Sequence, residues 1–303
     1  MKLLDFIFAA RPLLHLPIWS VFLICLHYHH QLSGDVFSYE NLIILIGMSF
    51  LVSGAYYINQ IYDYESDKIN DKLGFLQSGK LTFRQLWIGY FVITLIPIVI
   101  SFFISTLILM VFLQFFVLGF LYSSKPFQFK NRPILGLLTN AYSFGWLVPL
   151  TVMPEINIHN VGLLKWGNPL YFFLAVAAIH IMTTIPDRDG DLKTGKKTIA
   201  VIMPPVSSKL LAVALLVASI VVAYQSEFLL LSGLSLVSSL VILLSLFYSS
   251  NRLCLLATKL PILLLTLLAG YFYIYYLLFI VVLFVVTRIY YKRRFGIKYP
   301  QIA

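Results

Sequence analysis

The sequence predicts an all-α membrane protein, with about nine transmembrane helices arranged around a central cavity. Three observations predict this fold class. Apolar residues make up 60% of the 303 residues, charged residues make up only 11%, and the mean hydropathy is +0.90. A soluble domain of this size lacks the interior volume to bury so much apolar surface. The composition therefore excludes a soluble enzyme, a disordered chain, a secreted disulfide scaffold and a nucleic-acid-binding domain.

Runs of mainly apolar residues define the expected helices. A helix needs about 20 such residues to cross a bilayer, and long apolar runs satisfy their backbone in lipid only as helices. We expect residues 1–11 to form an interfacial helix that leads into the first span. Nine spans follow, at residues 13–30, 41–61, 83–103, 106–122, 133–153, 169–185, 210–225, 228–248 and 268–290. A short tenth span at 253–267 stays open, because Pro261 and Gly270 offer breaks.

Lysine and arginine are sorted into alternate loops. The N-terminus and the loops 63–84, 123–132 and 187–209 are basic, whereas the intervening loops carry little positive charge. By the positive-inside rule, the basic loops face the cytoplasm of a multi-pass protein of the cell membrane. The basic tail at 288–298 conflicts with nine spans, because an odd number of spans would place this tail outside.

Acidic residues are rare and concentrated. Seven of the twelve Asp and Glu residues lie in two short segments, 63–71 and 187–191. Amide or carboxylate side chains recur there every fourth residue, as Asn59, Asp63 and Asp67, and again as Asp187 and Asp191. On a helix such residues share one face, where like charges repel and a divalent cation reverses the sign of the interaction. Mg²⁺ prefers this kind of oxygen ligand when phosphates complete its shell.

The two acidic segments also repeat at a fixed distance. Asp63 and Asp187 are 124 residues apart, as are Asp67 and Asp191, and each pair follows an even-numbered span. This spacing indicates one domain over 1–303 with two pseudo-equivalent halves, about 1–132 and 133–303.

Basic residues surround both acidic segments. Carboxylates that bind a metal ion, next to lysines that bind phosphate oxygens, are typical of a diphosphate site. The apolar interior of the bundle suits a hydrocarbon tail. The sequence therefore predicts a lipid-like diphosphate substrate. The candidate lysines are Lys68, Lys72, Lys130, Lys193 and Lys197.

Two other function classes stay open on the residues alone. A cation-coupled transporter or channel also uses intramembrane carboxylates, but near the midplane rather than at span ends beside lysines. A phosphotransferase of the CDP-alcohol type needs DxxDG and a downstream GxxxDxxxD in one segment. The segment 187–191 does not supply that arrangement.

At these residues the sequence resembles the UbiA superfamily of intramembrane prenyltransferases, and its archaeal members most of all. The likeness covers nearly the whole chain. The family pattern NxxxDxxxD and the second motif DxxxD are both present, and Gly195 and Thr198 follow the second motif in the family manner. A family-like tyrosine and lysine stand between the motifs, as Tyr122 and Lys130.

One place departs from the family pattern. Many members carry Arg-Pro shortly before a Ser-Gly, whereas here Gly74-Phe75 precedes Ser78-Gly79. A diphosphate-contacting arginine is therefore missing, and Lys68 or Lys72 is expected to compensate.

The resemblance implies a Mg²⁺-dependent prenyl transfer from a prenyl diphosphate, such as geranyl or geranylgeranyl diphosphate, to a hydrophobic acceptor in the lipid bilayer. Two Mg²⁺ ions bridge the acidic motifs and the diphosphate, whose departure leaves an allylic carbocation. The resemblance also implies which residues bind the metal, and it makes the four aspartates catalytic as well. The metal-binding residues are Asn59, Asp63, Asp67, Asp187 and Asp191. Further substrate-binding candidates are Tyr62, Tyr122, Asn140 and His180. The acceptor stays open between a quinone precursor, a glycerol phosphate lipid, a haem and a carotenoid.

Overall fold

The structure of the protein is a computed structural model that describes residues 2–33, 38–69, 74–152, 167–247 and 251–300. The all-α prediction is confirmed, since these ranges contain helices and turns and no strand. The helices are α1 (Lys2–Ala9), α2 (Leu16–Ser33), α3 (Tyr39–Tyr62), α4 (Tyr64–Ile69), α5 (Phe83–Ser101), α6 (Thr106–Ser123), α7 (Pro133–Asn140), α8 (Val148–Leu150), α9 (Gly167–Thr184), α10 (Arg188–Lys193), α11 (Ile199–Ile202), α12 (Pro205–Gln225), α13 (Leu229–Phe247), α14 (Asn251–Phe272) and α15 (Ile274–Phe295).

Most of the predicted spans coincide with single helices. Within the described ranges, eight helices are long and apolar enough to cross a membrane. The first of them, Lys2–Gln31, joins α1 to α2 through the 3₁₀ turn Pro12–His15. Two further apolar segments complete the bundle, namely α9 and a broken helix over residues 133–150. The protein is therefore a multi-pass membrane protein with a span count close to that expected.

The helices differ in how deeply they are buried, although all are similarly apolar. Helix α2 lies at the centre of the bundle, and its side chains Ile18, Phe22 and Ile24 are fully buried. Helix α5 instead exposes a row of large apolar side chains, including Phe91 and Val99. The bundle interior around α2 and the lipid around α5 are both apolar, so hydropathy alone does not distinguish a central helix from a peripheral one.

A π-helical segment, Ala141–Leu147, interrupts the helix that follows the second basic loop. Its Gly145 allows a close backbone approach to α9, because a Cβ at this position would lie 2.5 Å from the Phe172 carbonyl oxygen. The wider turn of a π-helix rotates the flanking side chains relative to an α-helix. Asn140 and Phe144, at this break, line cavities in the bundle interior.

The C-terminal region differs from the predicted last span at 268–290. The chain breaks at Tyr273, so α14 and α15 are separate helices, and the short tenth span left open by the sequence is a full helix. The short connection between α14 and α15 contains no polar loop that a hydropathy analysis would detect. The Tyr273 backbone N–H bonds to the Ala269 carbonyl oxygen at 2.9 Å, and the Tyr276 N–H bonds to the Tyr273 carbonyl oxygen at 2.9 Å.

Because of this hairpin, the basic tail returns to the end of the bundle where the chain starts. Arg294 donates to both carboxylate oxygens of the fully buried Asp5, at 2.9 and 2.7 Å, and the Tyr290 hydroxyl donates to Asp5 at 2.5 Å. The same end holds the last residues of α3, α6 and α9, and we call it the acidic end because Asp63 and Asp191 follow two of these helices. The placement removes the conflict between the basic tail and the charge pattern.

Candidate active site

The first acidic segment begins where α3 ends. Asp63 caps the C-terminus of α3, and its backbone N–H bonds to the Asn59 carbonyl oxygen at 2.9 Å. Helix α4 starts at the next residue and continues the register, since the Asp67 N–H bonds to the Asp63 carbonyl oxygen at 2.8 Å. The kink therefore preserves the four-residue spacing, and Asp67 is buried to 9% exposure.

Lys130 forms an ion pair with this segment. It lies in the 3₁₀ turn Phe129–Asn131, and its Nζ lies 2.7 Å from Asp63 Oδ1. The side chains are 8% and 13% exposed, so this ion pair is well shielded from solvent. Burial lowers the pKa of the Lys130 ammonium, and the nearby Asp63 carboxylate acts in the opposite direction.

Asn59 connects the same residues. In the amide orientation that satisfies its neighbours, its nitrogen donates to Asp63 Oδ2 at 3.1 Å and its oxygen accepts from Lys130 Nζ at 3.1 Å. The Ser123 hydroxyl, at the end of α6, donates to the same Asn59 oxygen at 3.3 Å. Asn59, Asp63, Ser123 and Lys130 therefore form one hydrogen-bonded group that joins the end of α3, the end of α6 and the 3₁₀ turn.

The second acidic segment forms the short helix α10 and the turn after it. Asp191 accepts a hydrogen bond from the Thr198 hydroxyl at 3.2 Å, and its carbonyl oxygen accepts from the Lys196 N–H at 2.9 Å. Gly195 takes a positive φ of 70°, a conformation that favours glycine, and this turn brings Lys196 and Thr198 back to Asp191. Asp187, at the N-terminal end of α10, is exposed.

Tyr122 and Lys130 lie within electrostatic range of charged groups from both segments. Tyr122 and Asn140 line one cavity, and both Asp63 and Asp191 lie close enough to act on the Tyr122 hydroxyl electrostatically. Lys130 likewise interacts with Asp63 and Asp67 of the first segment and with Lys196 of the second. Charged groups from two distant parts of the chain therefore surround one site.

Two cavities lie beside this site. A cavity of about 290 Å³, which we call the headgroup cavity, is lined by Arg11, Tyr56, Asn59, Tyr122 and Asn140 among others. A more apolar cavity of about 320 Å³ is lined by residues of α2, α9, α13 and α14, including His180. Tyr56, Asn140 and Phe144 line both and form the boundary between them.

A model of the UbiA prenyltransferase family matches residues 19–254. The chain belongs to this family. The matched region contains both acidic segments, Tyr122 and Lys130.

Several curated proteins are similar in sequence to about 60% of this chain. A probable homogentisate phytyltransferase 2 of Oryza sativa subsp. japonica is 29% identical over 194 residues, which are 61% of this chain and 51% of that protein. A digeranylgeranylglyceryl phosphate synthase of Methanobrevibacter smithii is 24% identical over 186 residues, which are 58% of this chain and 62% of that protein. The chain spans about half the length of the curated relatives it matches.

Solved structures share the fold of this chain. A UbiA homologue from Archaeoglobus fulgidus bound to GPP and Mg²⁺ superposes with a TM-score of 0.71 at 17% identity, over 88% of this chain and 99% of that chain. The apo structure of a UbiA homologue from Aeropyrum pernix K1 gives a TM-score of 0.62 at 17% identity, over 85% and 96% of the two chains.

The predicted substrate-binding residues Tyr62, Lys68, Lys193 and Lys197 are not part of the buried hydrogen-bonded group around Lys130. Tyr62 packs edge-on against Trp87, with ring centroids 6.3 Å apart, in an apolar cluster on the side of α3 that faces α5. The remaining predicted lysines do not contact the buried ion pair: Lys68, Lys193 and Lys197 are exposed, and Lys72 falls outside the described residues.

Tyr56 is a residue of the site that the sequence reasoning missed. It shares a helix face with Asn59 and Asp63, so extending that face by one turn towards the N-terminus would have found it. Lys196 is one of the three lysines that follow the second acidic segment, and it is less exposed than Lys193 and Lys197. Arg11 stands before Pro12 at the start of the first span, where the sequence favours a helix boundary and leaves a diphosphate contact as the lesser alternative.

Proposed function

We propose that the protein transfers a prenyl group from a prenyl diphosphate to a hydrophobic acceptor within the membrane, with Mg²⁺ as cofactor. The main observation is that charged groups of both acidic segments lie within electrostatic range of Tyr122 and Lys130. Tyr122 itself lines one of the two adjoining cavities. Family membership supports the same reaction class. So do the names of the relatives, which include a phytyltransferase and a prenyltransferase.

The residues at the acidic end fit Mg²⁺. Asn59, Asp63, Asp67 and Asp191 present hard oxygen atoms, which this ion prefers. Among the described residues, no group of three or more His, Cys, Asp or Glu side chains forms a ready-made metal centre. Mg²⁺ is typically held by one or two carboxylates and the phosphates of a substrate, so such a centre is not required.

Asn59, Asp63 and Asp67 would hold one ion, and Asp187 and Asp191 a second. Once bound, the metal would supply Lewis-acid stabilisation of the departing pyrophosphate.

The lysines of the site supply fixed positive charge. Lys130 is held by Asp63 and Asn59 before any substrate arrives, so little reorganisation is needed when a diphosphate binds near it. Lys196 lies close enough to Lys130 for the two charges to interact. The two ammonium groups stabilise negative charge as the carbon–oxygen bond of the donor breaks and pyrophosphate leaves.

The cavities suit the rest of the donor. The carbon that loses the diphosphate becomes an allylic cation, and the aromatic faces of Tyr56, Tyr122 and Phe144 at the cavity walls stabilise such a cation. The apolar cavity accommodates the hydrocarbon tail and excludes water that would otherwise react with the cation. An electron-rich atom of the acceptor then forms the new bond to carbon and releases a proton.

The charge pattern supports a cytoplasmic location for this site. Every described Lys and Arg lies on elements or loops at the acidic end, or in the part of a helix nearest to it. Because positively charged loops stay on the cytoplasmic side, we infer that the acidic end faces the cytoplasm.

The test uses the purified full-length protein with labelled geranyl and geranylgeranyl diphosphate and a panel of acceptors, and products are identified by mass spectrometry. We expect a prenylated product that EDTA abolishes and Mg²⁺ restores. Asp67→Ala should abolish it, whereas Asp189→Ala, a change of an exposed acid outside the motif spacing, should not. Metal-independent turnover, or unchanged turnover by Asp67→Ala, would contradict the proposal.

A further inference from the structure

A groove of about 330 Å³ lies between helices α1 and α15 at the acidic end of the protein. Among the described residues, its lining comes from these two helices alone. Both helices lie outside residues 19–254, the range that matches the family model. The groove is therefore built by parts of the chain that the family match does not cover, and it is separate from the acidic segments.

Contacts across the floor of the groove hold its two walls together. Asp5 of α1 accepts two hydrogen bonds from Arg294 of α15 and one from the Tyr290 hydroxyl. Phe8 of α1 stacks on the Tyr290 ring, with centroids 3.8 Å apart. Because Asp5 and Phe8 are buried beneath the groove, these contacts fix the separation of α1 from α15.

The sides of the groove are apolar and open outwards. Leu4 on α1 and Val286 and Ile289 on α15 line it, and each is 45% or 46% exposed. Exposed apolar side chains of a membrane protein face the acyl chains of the surrounding lipids. From Val286 to Arg293 the lining of α15 rises by seven residues, which is about 10 Å of helix. A segment of an acyl chain can therefore lie along this face.

Two arginines stand at one end of the groove. Arg294 is neutralised by its pair with Asp5, whereas the ion pairs found in the described ranges do not include the exposed Arg293. The neighbouring Lys292 is also exposed. Basic side chains at the end of a spanning helix reach the level of the lipid headgroups, where they attract anionic lipids. The groove thus combines an apolar channel with uncompensated positive charge at one end.

We infer that this groove binds an anionic phospholipid, with its phosphate at Arg293 and the upper part of one acyl chain between Leu4 and Ile289. A guanidinium group binds a phosphate through two parallel hydrogen bonds. A zwitterionic lipid has the same chains and the same phosphate, but the cation of its headgroup opposes Arg293. A bound anionic lipid therefore compensates the charge of Arg293 and joins α1 to α15. This inference does not depend on the proposed prenyl transfer.

The experiment is photo-crosslinking of the full-length protein in lipid nanodiscs. Analogues of phosphatidylglycerol and phosphatidylcholine carry the same diazirine-bearing acyl chain, and mass spectrometry maps the labelled peptides. Labelling at Val99, on the exposed face of α5, serves as the internal reference. We expect the phosphatidylglycerol analogue to label α1 and residues 286–289 about fivefold more than the phosphatidylcholine analogue, the effect of one basic residue at an anionic membrane surface.

Matched variants separate the charge from the groove. Arg293→Met should remove the preference for phosphatidylglycerol, whereas Arg84→Met, a change of an exposed arginine on α5, should keep it. Ile289→Trp fills the groove and should reduce labelling of α1 by both analogues. An unchanged Tm in detergent shows that each variant is folded.

Equal labelling by the two analogues in the natural protein would overturn the inference. So would a preference that survives Arg293→Met, or one that Arg84→Met abolishes to the same extent. Unchanged labelling of α1 in Ile289→Trp would show that the lipid does not lie in the groove.

Discussion

Lys130 Nζ lies 2.7 Å from Asp63 Oδ1, although the two residues are 67 positions apart in the sequence. The pair joins the end of α3 to the loop after α6, and Asn59 hydrogen-bonds to both partners. In a buried pair of this kind, the carboxylate and the ammonium group hold each other in place, because either charge alone would be costly to bury. Lys130 is therefore already in place when a diphosphate reaches the acidic segments.

We predict that Lys130→Met lowers kcat/KM for prenyl transfer by about 100-fold, because a fixed cation near the leaving group is lost. Steady-state kinetics with labelled geranylgeranyl diphosphate measures the effect. Lys125→Met is the control, since Lys125 is exposed in the same loop and its change should alter kcat/KM by less than about twofold. Equal losses in both variants would mean that the overall charge of the loop matters rather than the buried pair.

Tyr122 and Tyr62 should differ in their effects. Tyr122→Phe removes a hydroxyl that lies in the headgroup cavity within electrostatic range of Asp63 and Asp191, and we expect kcat/KM to fall about tenfold. Tyr62→Phe keeps the ring that packs on Trp87 and should leave kcat/KM within about twofold. The same kinetic assay compares the two, and a larger loss for Tyr62→Phe would contradict the assignment of Tyr62 to packing.

The bundle itself was predictable because hydropathy determines where helices cross the membrane. What hydropathy could not locate was the break at Tyr273, since no polar residues separate α14 from α15. It also could not show that α2 is central and α5 peripheral, because lipid and protein interior are both apolar environments. The basic tail at 288–298 did indicate the additional helix, since its positive charge conflicts with an odd number of spans. The division into two halves stays a prediction.

Spacing along the chain predicted those parts of the site that lie on one helix face. Asn59, Asp63 and Asp67 follow this rule, and the kink at Asp63 preserves it. The placing of Tyr122, Asn140 and Arg11 around one cavity depends instead on how distant helices pack. Packing of that kind has no local signal in a single sequence. Lys130 was predicted both from the basic residues around the acidic segments and from the family resemblance, whereas its ion pair with Asp63 depends on the same packing.

The contact between Asp5 and Arg294 should matter for stability rather than for chemistry. Asp5→Asn or Arg294→Met leaves one partner of a buried, two-bonded ion pair without its counter-charge, and we expect the Tm to fall by several degrees. Thermal unfolding of the purified protein in detergent measures this. Arg293→Met changes the exposed neighbouring arginine and should leave the Tm unchanged; an equal fall there would point to the charge of the tail instead.

Two glycines allow a matched test of the packing around the π-helical segment. In Gly145→Ala the new Cβ would lie 2.5 Å from backbone atoms of Phe172 and Phe173, so the two helices must separate at a cost of about 1–3 kcal/mol. Gly233, in α13, has open space at the same position, and Gly233→Ala should be neutral or stabilising by up to about 1 kcal/mol. Unfolding measurements that show Gly145→Ala to be as stable as Gly233→Ala would contradict the close helix contact.

The convergence of both acidic segments on one diphosphate is tested most directly by Mg²⁺-dependent binding of geranylgeranyl thiodiphosphate. Asp67→Asn and Asp191→Asn should each weaken this binding by at least about tenfold, since each replaces a charged carboxylate ligand of the metal-bridged headgroup with a neutral amide. Asp189→Asn, a change of an 89% exposed acid in the second segment, should bind the analogue like the natural protein. If either motif variant retained full Mg²⁺-dependent binding, the two segments would not share one headgroup.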